Sequence, residues 1–184
     1  MPKTTPTVEP PAAAVAKDPH WAATRQRLRA RQRPAARLTI CDDDTVKQAL
    51  ADARRRHDRA AQHAEANPDD QVLAAALAGA EDKLAAAQAA FDETAIVLRF
   101  QALPRIEFEE MKAAHPPTET QAEDGAFVNV ESLGPVLIAA ASLDGITEDE
   151  ARDYLATWSE GEATQLFQAA WDIQSTIRAD LGKG

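Results

Sequence analysis

Between Thr45 and Phe91, small and apolar residues return at alternating steps of four and three. The first series is Val46, Leu50, Ala53, His57, Ala60 and Ala64, and the second is Leu73, Leu77, Ala80, Leu84, Ala87 and Phe91. Residues spaced this way share one face of a helix, and two such faces form the seam of a two-stranded coil. The link Asn67-Pro68-Asp69-Asp70 supplies a compact turn and an N-cap for the second helix. Residues 45–91 therefore predict an antiparallel helical hairpin. Its seam is rich in alanine, which permits close approach but buries little, so the hairpin is expected to lean on something else. Arg54, Arg55, Arg56 and Arg59 fall mostly on the outer face, solvated or ion-paired.

Strand-like segments flank this hairpin. Arg37–Cys41 (RLTIC) places Leu38 and Ile40 on one face, and Thr94–Gln101 (TAIVLRFQ) places Ile96, Leu98 and Phe100 on one side. A hairpin returns the chain to its starting point, so the two segments are expected to pair. Asp42, Asp43 and Asp44 stand where a helix N-terminus needs a cap and negative charge. Three adjacent carboxylates also suggest a cation site, but hard cations need ligands from alternate loop positions and a Gly-assisted turn. Capping accounts for them better.

Beyond the second strand the pattern is helical. Pro104 suits a helix start, and the helix 104–114 is expected to turn Ile106, Phe108 and Met111 inward before His115-Pro116-Pro117 ends it. Residues 118–126 predict a polar loop. Asn129 or Ser132 caps the next helix, whose body Leu133–Leu143 carries no charge and so must be buried. Thr147 with Glu150, and Ser159 with Glu162, are capping boxes for helices over 148–157 and 160–179. Leu155, Trp158, Leu166, Phe167, Trp171 and Ile173 are their expected packing residues. The expected fold class is mainly α with a small β component (α+β): a helical hairpin between two short strands, then a C-terminal helical bundle.

Charge divides the chain. Residues 1–36 hold seven cations against two acids, whereas residues 107–160 hold thirteen acids against two cations. An acidic body argues against nucleic acid as the main partner, because phosphate contacts need a basic surface. Prolines spread through residues 1–20 predict disorder there, and WAATRQRLRARQR (21–33) predicts a basic helical turn or two ended by Pro34. The expected organisation is a disordered basic arm over 1–36, a strand–hairpin–strand unit over 37–101 and a helical region over 102–184. The last two are expected to make one compact domain. Cys41 is the only cysteine, so no internal disulfide is possible and a reducing, cytoplasmic setting is expected. No window approaches the roughly 18 apolar residues of a membrane span, and no signal-peptide core is expected.

Side chains that carry chemistry do not converge in the sequence. His57 and His63 are six apart, which is not the i, i+4 spacing of a helical metal pair. His115 reads as a helix-end residue and His20 lies in the arm. Asp144-Gly145-Ile146 has the look of a calcium-loop centre, yet the first and twelfth positions would be Ala140 and Ala151 where carboxylates are required. No enzyme, cofactor or metal site is expected.

The run LRFQALPRIEFEEMKAAHPP (Leu98–Pro117) resembles the strand, turn and helix-to-His-Pro-Pro segment of siphophage tail assembly chaperones of the actinobacteriophage type. LGPVLIAAAS (Leu133–Ser142) is similar to that family's apolar helix, although Leu133-Gly134-Pro135 stands where an aromatic-Pro lead is common. ITEDEARDYLATWSEGEATQLFQAAW (Ile146–Trp171) is similar to its two capped C-terminal helices. The likeness spans about residues 37–175 and is one of pattern and order. It implies a non-enzymatic protein of the host cell cytoplasm that binds the phage tape measure protein and helps recruit tail tube protein. Self-association is compatible with that role; membrane and nucleic-acid partners are not implied. Leu133, Leu137, Trp158, Phe167 and Trp171 are the candidate partner-binding residues, with a plain core role as the alternative for each. Competing functions are a permanent structural tail or neck protein and, more distantly, a DNA-associated regulator using Arg25–Arg37.

Overall fold

A computed structural model describes residues 19–179 of the chain. Of the arm expected to be disordered over 1–36, residues 1–18 lie outside that range, whereas 19–29 form a helix and Ala35 begins a strand. The chain divides into two units, 1–34 and 35–184. In the first, helix α1 (Pro19–Arg29) is three turns long, more than the turn or two expected. Arg27 and Arg29 in its last turn meet the negative end of the helix dipole. Ala22 is buried, and Trp21 and Leu28 are about half exposed.

The second unit is mainly helical around a two-stranded antiparallel sheet, an α+β fold. Strand β1 (Ala35–Ile40) starts two residues before the expected Arg37 and ends before Cys41. Strand β2 (Ile96–Gln101) pairs with it in the register Ala36↔Phe100, Leu38↔Leu98 and Ile40↔Ile96. Ala36, Leu38 and Ile40 therefore share one face with Ile96, Leu98 and Phe100, and Val97 lies on the other. That face is fully covered at Phe100 and open at Ile96.

Helices α2 (Asp44–Ala66) and α3 (Gln71–Thr94) form the hairpin between the strands. Asp43 accepts from the N–H groups of Thr45 and Val46 at 2.8 and 3.1 Å, so it is the cap of the acidic triplet. Asp70 does the same for Val72 and Leu73 at 2.8 and 3.2 Å. Every residue of both predicted seams is shielded to some degree, Leu50 and Ala53 fully. α3 nevertheless buries no residue completely, and the two helices pack mainly on each other. An Ala methyl contributes about 0.8 kcal/mol when buried, against about 1.5–3 for a whole leucine side chain. The hairpin is thus ordered by a shallow seam.

After β2, helix α4 (Arg105–Ala114) starts behind Pro104, which occupies the N-cap position without a side-chain cap hydrogen bond. Phe108 and Met111 pack on the core, but Ile106 is 65% exposed, contrary to expectation. Two residues turn a helix by about 200°, so a face built on Phe108 sends Ile106 to the opposite side. His115 ties the end of α4 to residues further along the chain. Its carbonyl accepts from Asn129 N–H at 2.9 Å, and its Nδ1 lies 2.9 Å from the Ser132 hydroxyl. The expected loop at 118–126 contains a short helix, α5 (Glu119–Glu123), with a Thr118/Gln121 capping box. Gly125 ends it at φ +85°, a conformation that favours glycine.

Helix α6 (Val130–Ala141) is capped by Asn129, not Ser132, and contains Pro135. The carbonyl that Pro135 leaves without a donor belongs to exposed Glu131. Leu133, Gly134, Pro135, Leu137, Ile138 and Ala141 are all buried. Around α6 lie α4, β2, α7 (Glu148–Thr157) and α8 (Glu160–Asp172). A Cβ on Gly134 would stand 3.1 Å from a Leu155 methyl, so the glycine lets α7 close on α6. Both expected capping boxes form. α8 ends at Asp172 and not near residue 179, passing into a 3₁₀ turn, Ile173–Ser175. There the hydroxyls of Ser175 and Thr176 donate to the Asp172 carbonyl at 3.1 and 3.3 Å.

The segment after α6 closes one edge of the sheet. Leu143 N–H donates to the Arg99 carbonyl at 2.8 Å, and Asp144 accepts from the Arg99 N–H at 2.6 Å. The other Asp144 oxygen accepts from Arg99 Nε and Nη2 at 2.8 and 2.5 Å. The Arg99 guanidinium first, and its N–H next, hold the Asp144 carboxyl below its ordinary value. A depressed value contributes stability above the unfolded value, and that stability is lost as pH falls through the folded one. Asp144→Asn should therefore lower the urea midpoint at neutral pH and make its decline into acid less steep than in the parent. Gly79, mid-helix in α3 with nothing within 4 Å of an added Cβ, makes a second case. Gly79→Ala should raise stability by about 0.5–1 kcal/mol in the same urea titration.

Candidate partner-binding surface

The five candidate residues divide by depth. Leu133 and Leu137 are fully buried in α6, so they belong to the core and present nothing to a partner. This corrects their assignment as contact residues: a helix without charge lies at the centre of its own chain. Trp158, Phe167 and Trp171 are partly buried, each packed against the core with one side left open.

Their surroundings are aromatic. Trp158 is the C-cap of α7, stacked on Tyr154 one turn earlier with ring centres 5.0 Å apart. Phe167 and Trp171, also one turn apart on α8, stack at 5.6 Å. Phe108 of α4 meets Trp171 edge-on at 5.5 Å, and the Lys112 ammonium stands 5.0 Å from the Phe108 ring centre. Edge and stacked pairs of this kind add about 0.5–1.5 kcal/mol beyond area burial.

Trp158 and Trp171 each line a groove. The first, about 430 Å³, has Leu38, Ile40, Phe91 and Trp158 as its apolar lining, with Lys47, Glu162 and Gln165 among its polar groups. It lies where β1, the base of the hairpin and α8 come together. Lys47 is paired with Asp44 at 2.6 Å, which raises the lysine value and lowers the carboxyl. The second groove, about 390 Å³, has Leu103, Phe108 and Trp171 beneath Arg105, Glu109 and Lys112. Its far wall is Gln174, whose side chain accepts from Leu103 N–H and donates to the Ala170 carbonyl, both at 2.8 Å. Both grooves combine an apolar lining with charges of both signs, a surface suited to side chains of another polypeptide.

The other singled-out residues have local roles. Asp144 belongs to the Arg99 pair, and Gly145 serves its turn at φ +83°. His57 faces the hairpin seam with Nδ1 3.3 Å from Asp58, whereas His63 is exposed on α2. Among the described residues no three His, Cys, Asp or Glu side chains gather as metal ligands, and no helix is long and apolar enough to cross a membrane. The second groove has no local sequence signal, because Phe108 and Trp171 meet across some 60 residues of chain. Comparison with protein-family models, curated proteins and solved structures returns no match.

Trp171 holds the rings of both Phe108 and Phe167, so Trp171→Ala should cost about 2–3 kcal/mol by urea titration. That is below the range of about 3–5 for a fully buried aromatic, since part of the ring is already in water. Ile106→Ala, on an open helix face, should shift the urea midpoint by less than about 0.5 kcal/mol equivalent.

Proposed function

We propose that this protein is a phage tail assembly chaperone that holds the tape measure protein and helps recruit tail tube subunits. The observation that carries the reading is the resemblance of Leu98–Pro117, Leu133–Ser142 and Ile146–Trp171, taken in that order, to the corresponding segments of that family. The two grooves beside α8 support it physically. A long protein with apolar helical stripes needs a cover during assembly, and apolar grooves with charged margins receive such stripes side chain by side chain. The acid-rich body, thirteen carboxylates over residues 107–160, would keep such a complex dispersed.

A second reading, a permanent structural tail or neck protein, draws on the hairpin. α2 and α3 pack mainly on each other, and their outer faces are free to lash neighbouring subunits. Two measurements separate the readings. A chaperone should raise the soluble yield of a co-expressed tape measure fragment several-fold and co-purify with it, and should be missing from purified virions by mass spectrometry. Stoichiometric presence in mature particles would sink the chaperone reading and favour the structural one.

A further inference from the structure

The two edges of the sheet are unequal, and the open one has a definite chemistry. We propose that the outer edge of β1 receives an extended strand from a partner protein, one carrying an acidic residue between two apolar ones. The proposal holds whether or not that partner is a tape measure protein.

Backbone geometry comes first. Arg99 spends both its N–H and its C=O on Asp144 and Leu143, away from β1. In an antiparallel ladder the two groups of one residue point to the same side, and directly opposed residues alternate between bonded and non-bonded pairs. Arg37, opposite Arg99, is therefore in a non-bonded pair and directs its own N–H and C=O to the far edge. Ala35 and Thr39 do the same by alternation, while Ala36, Leu38 and Ile40 bond to β2. Arg37 and Thr39 are exposed, and no backbone hydrogen bond to either is found among the described residues beyond the β1–β2 ladder. An exposed edge of this kind is a template for another strand unless something blunts it. β1 contains neither proline nor glycine within Ala35–Ile40.

The groove and the charge specify what fits. A strand added beside β1 would stand about 4.8 Å away. Its inward side chains would share the face of Leu38 and Ile40, and so enter the 430 Å³ groove lined by those residues, Phe91 and Trp158. Apolar side chains suit that position. The intervening residue would share the outer face with Arg37. There Arg37 lies opposite Arg99, whose charge Asp144 takes, and no acidic side chain is paired with Arg37 among the described residues. A carboxylate beside Arg37 is the complementary choice. β1 offers only about three outward-facing residues by the alternation of the ladder, so the interaction is short and selective by side chain.

Amide hydrogen exchange on the full chain tests this, with a blocked heptapeptide alternating valine and glutamate as probe. In the free protein the Arg37 and Thr39 amides should exchange fast, while those of Leu38 and Ile40 are protected by β2. Adding the peptide should slow exchange at Arg37 and Thr39 by roughly tenfold or more, and a valine–lysine peptide should not. Arg37→Glu should reverse that preference, and Thr39→Pro should abolish protection at Arg37 while Leu98 stays protected. Protection of Arg37 and Thr39 already present in a monomer by sedimentation would overturn the proposal, because the chain then covers its own edge. So would a dimer that Thr39→Pro dissociates, since a second copy would then be the occupant. Equal protection by both peptides, or by neither, would also overturn it.

Discussion

Water offers nothing to a helix that carries no charge from Leu133 to Ala141, and α6 is accordingly enclosed by α4, β2, α7 and α8. Leu133, Leu137 and Ile138 have no remaining exposure, and each contributes about 1.5–3 kcal/mol by leaving water. The rest of the unit is arranged to make that enclosure possible. Gly134 removes the Cβ that would hold α7 away. Phe100 brings the buried end of the sheet onto α6, and His115 ties the end of α4 to the first turn of α6. The hairpin, with its shallow alanine seam, contributes far less to this core.

The sheet inherits its asymmetry from the same arrangement. The chain leaving α6 passes β2 and closes its edge through Leu143 and Asp144. β1 receives no such cover along its outer edge among the described residues. A two-stranded sheet is marginal alone. Here it is held on one face by the helices and on one edge by Leu143 and the Arg99–Asp144 pair, while the other edge stays open among the described residues.

In the proposed role, core and contact surface are one structure at different depths. Trp158 and Trp171 pack on the core with one side of each ring and line a groove with the other, while Phe167 stacks on Trp171. A substitution there is therefore felt in stability as well as in binding. The open margin of each groove, Gln165 or Arg105 for example, is where binding can be altered with the least effect on folding.

Much of the fold is legible in the residues because its signals are local. The steps of four and three in 46–91, the Asp43 and Asp70 caps, the two Thr/Ser–Glu boxes and the burial of most of 133–141 each depend on residues within a few turns of one another. Leu143, expected inside with them, lies past the helix end and is half exposed. Even α5, in a stretch that reads as loop, carries such a signal in its Thr118/Gln121 box. Ile106 departs from expectation because a ten-residue helix has too few apolar positions to define its inner face until its neighbours are known. The pairing of Arg99 with Asp144, the meeting of Phe108 with Trp171 and the difference between the two sheet edges have no local signal. Each joins residues 45 or more apart, and only the enclosure of α6 decides which of many distant side chains become neighbours. Local chemistry determined the elements and their caps; the tertiary structure decided which surfaces were left open.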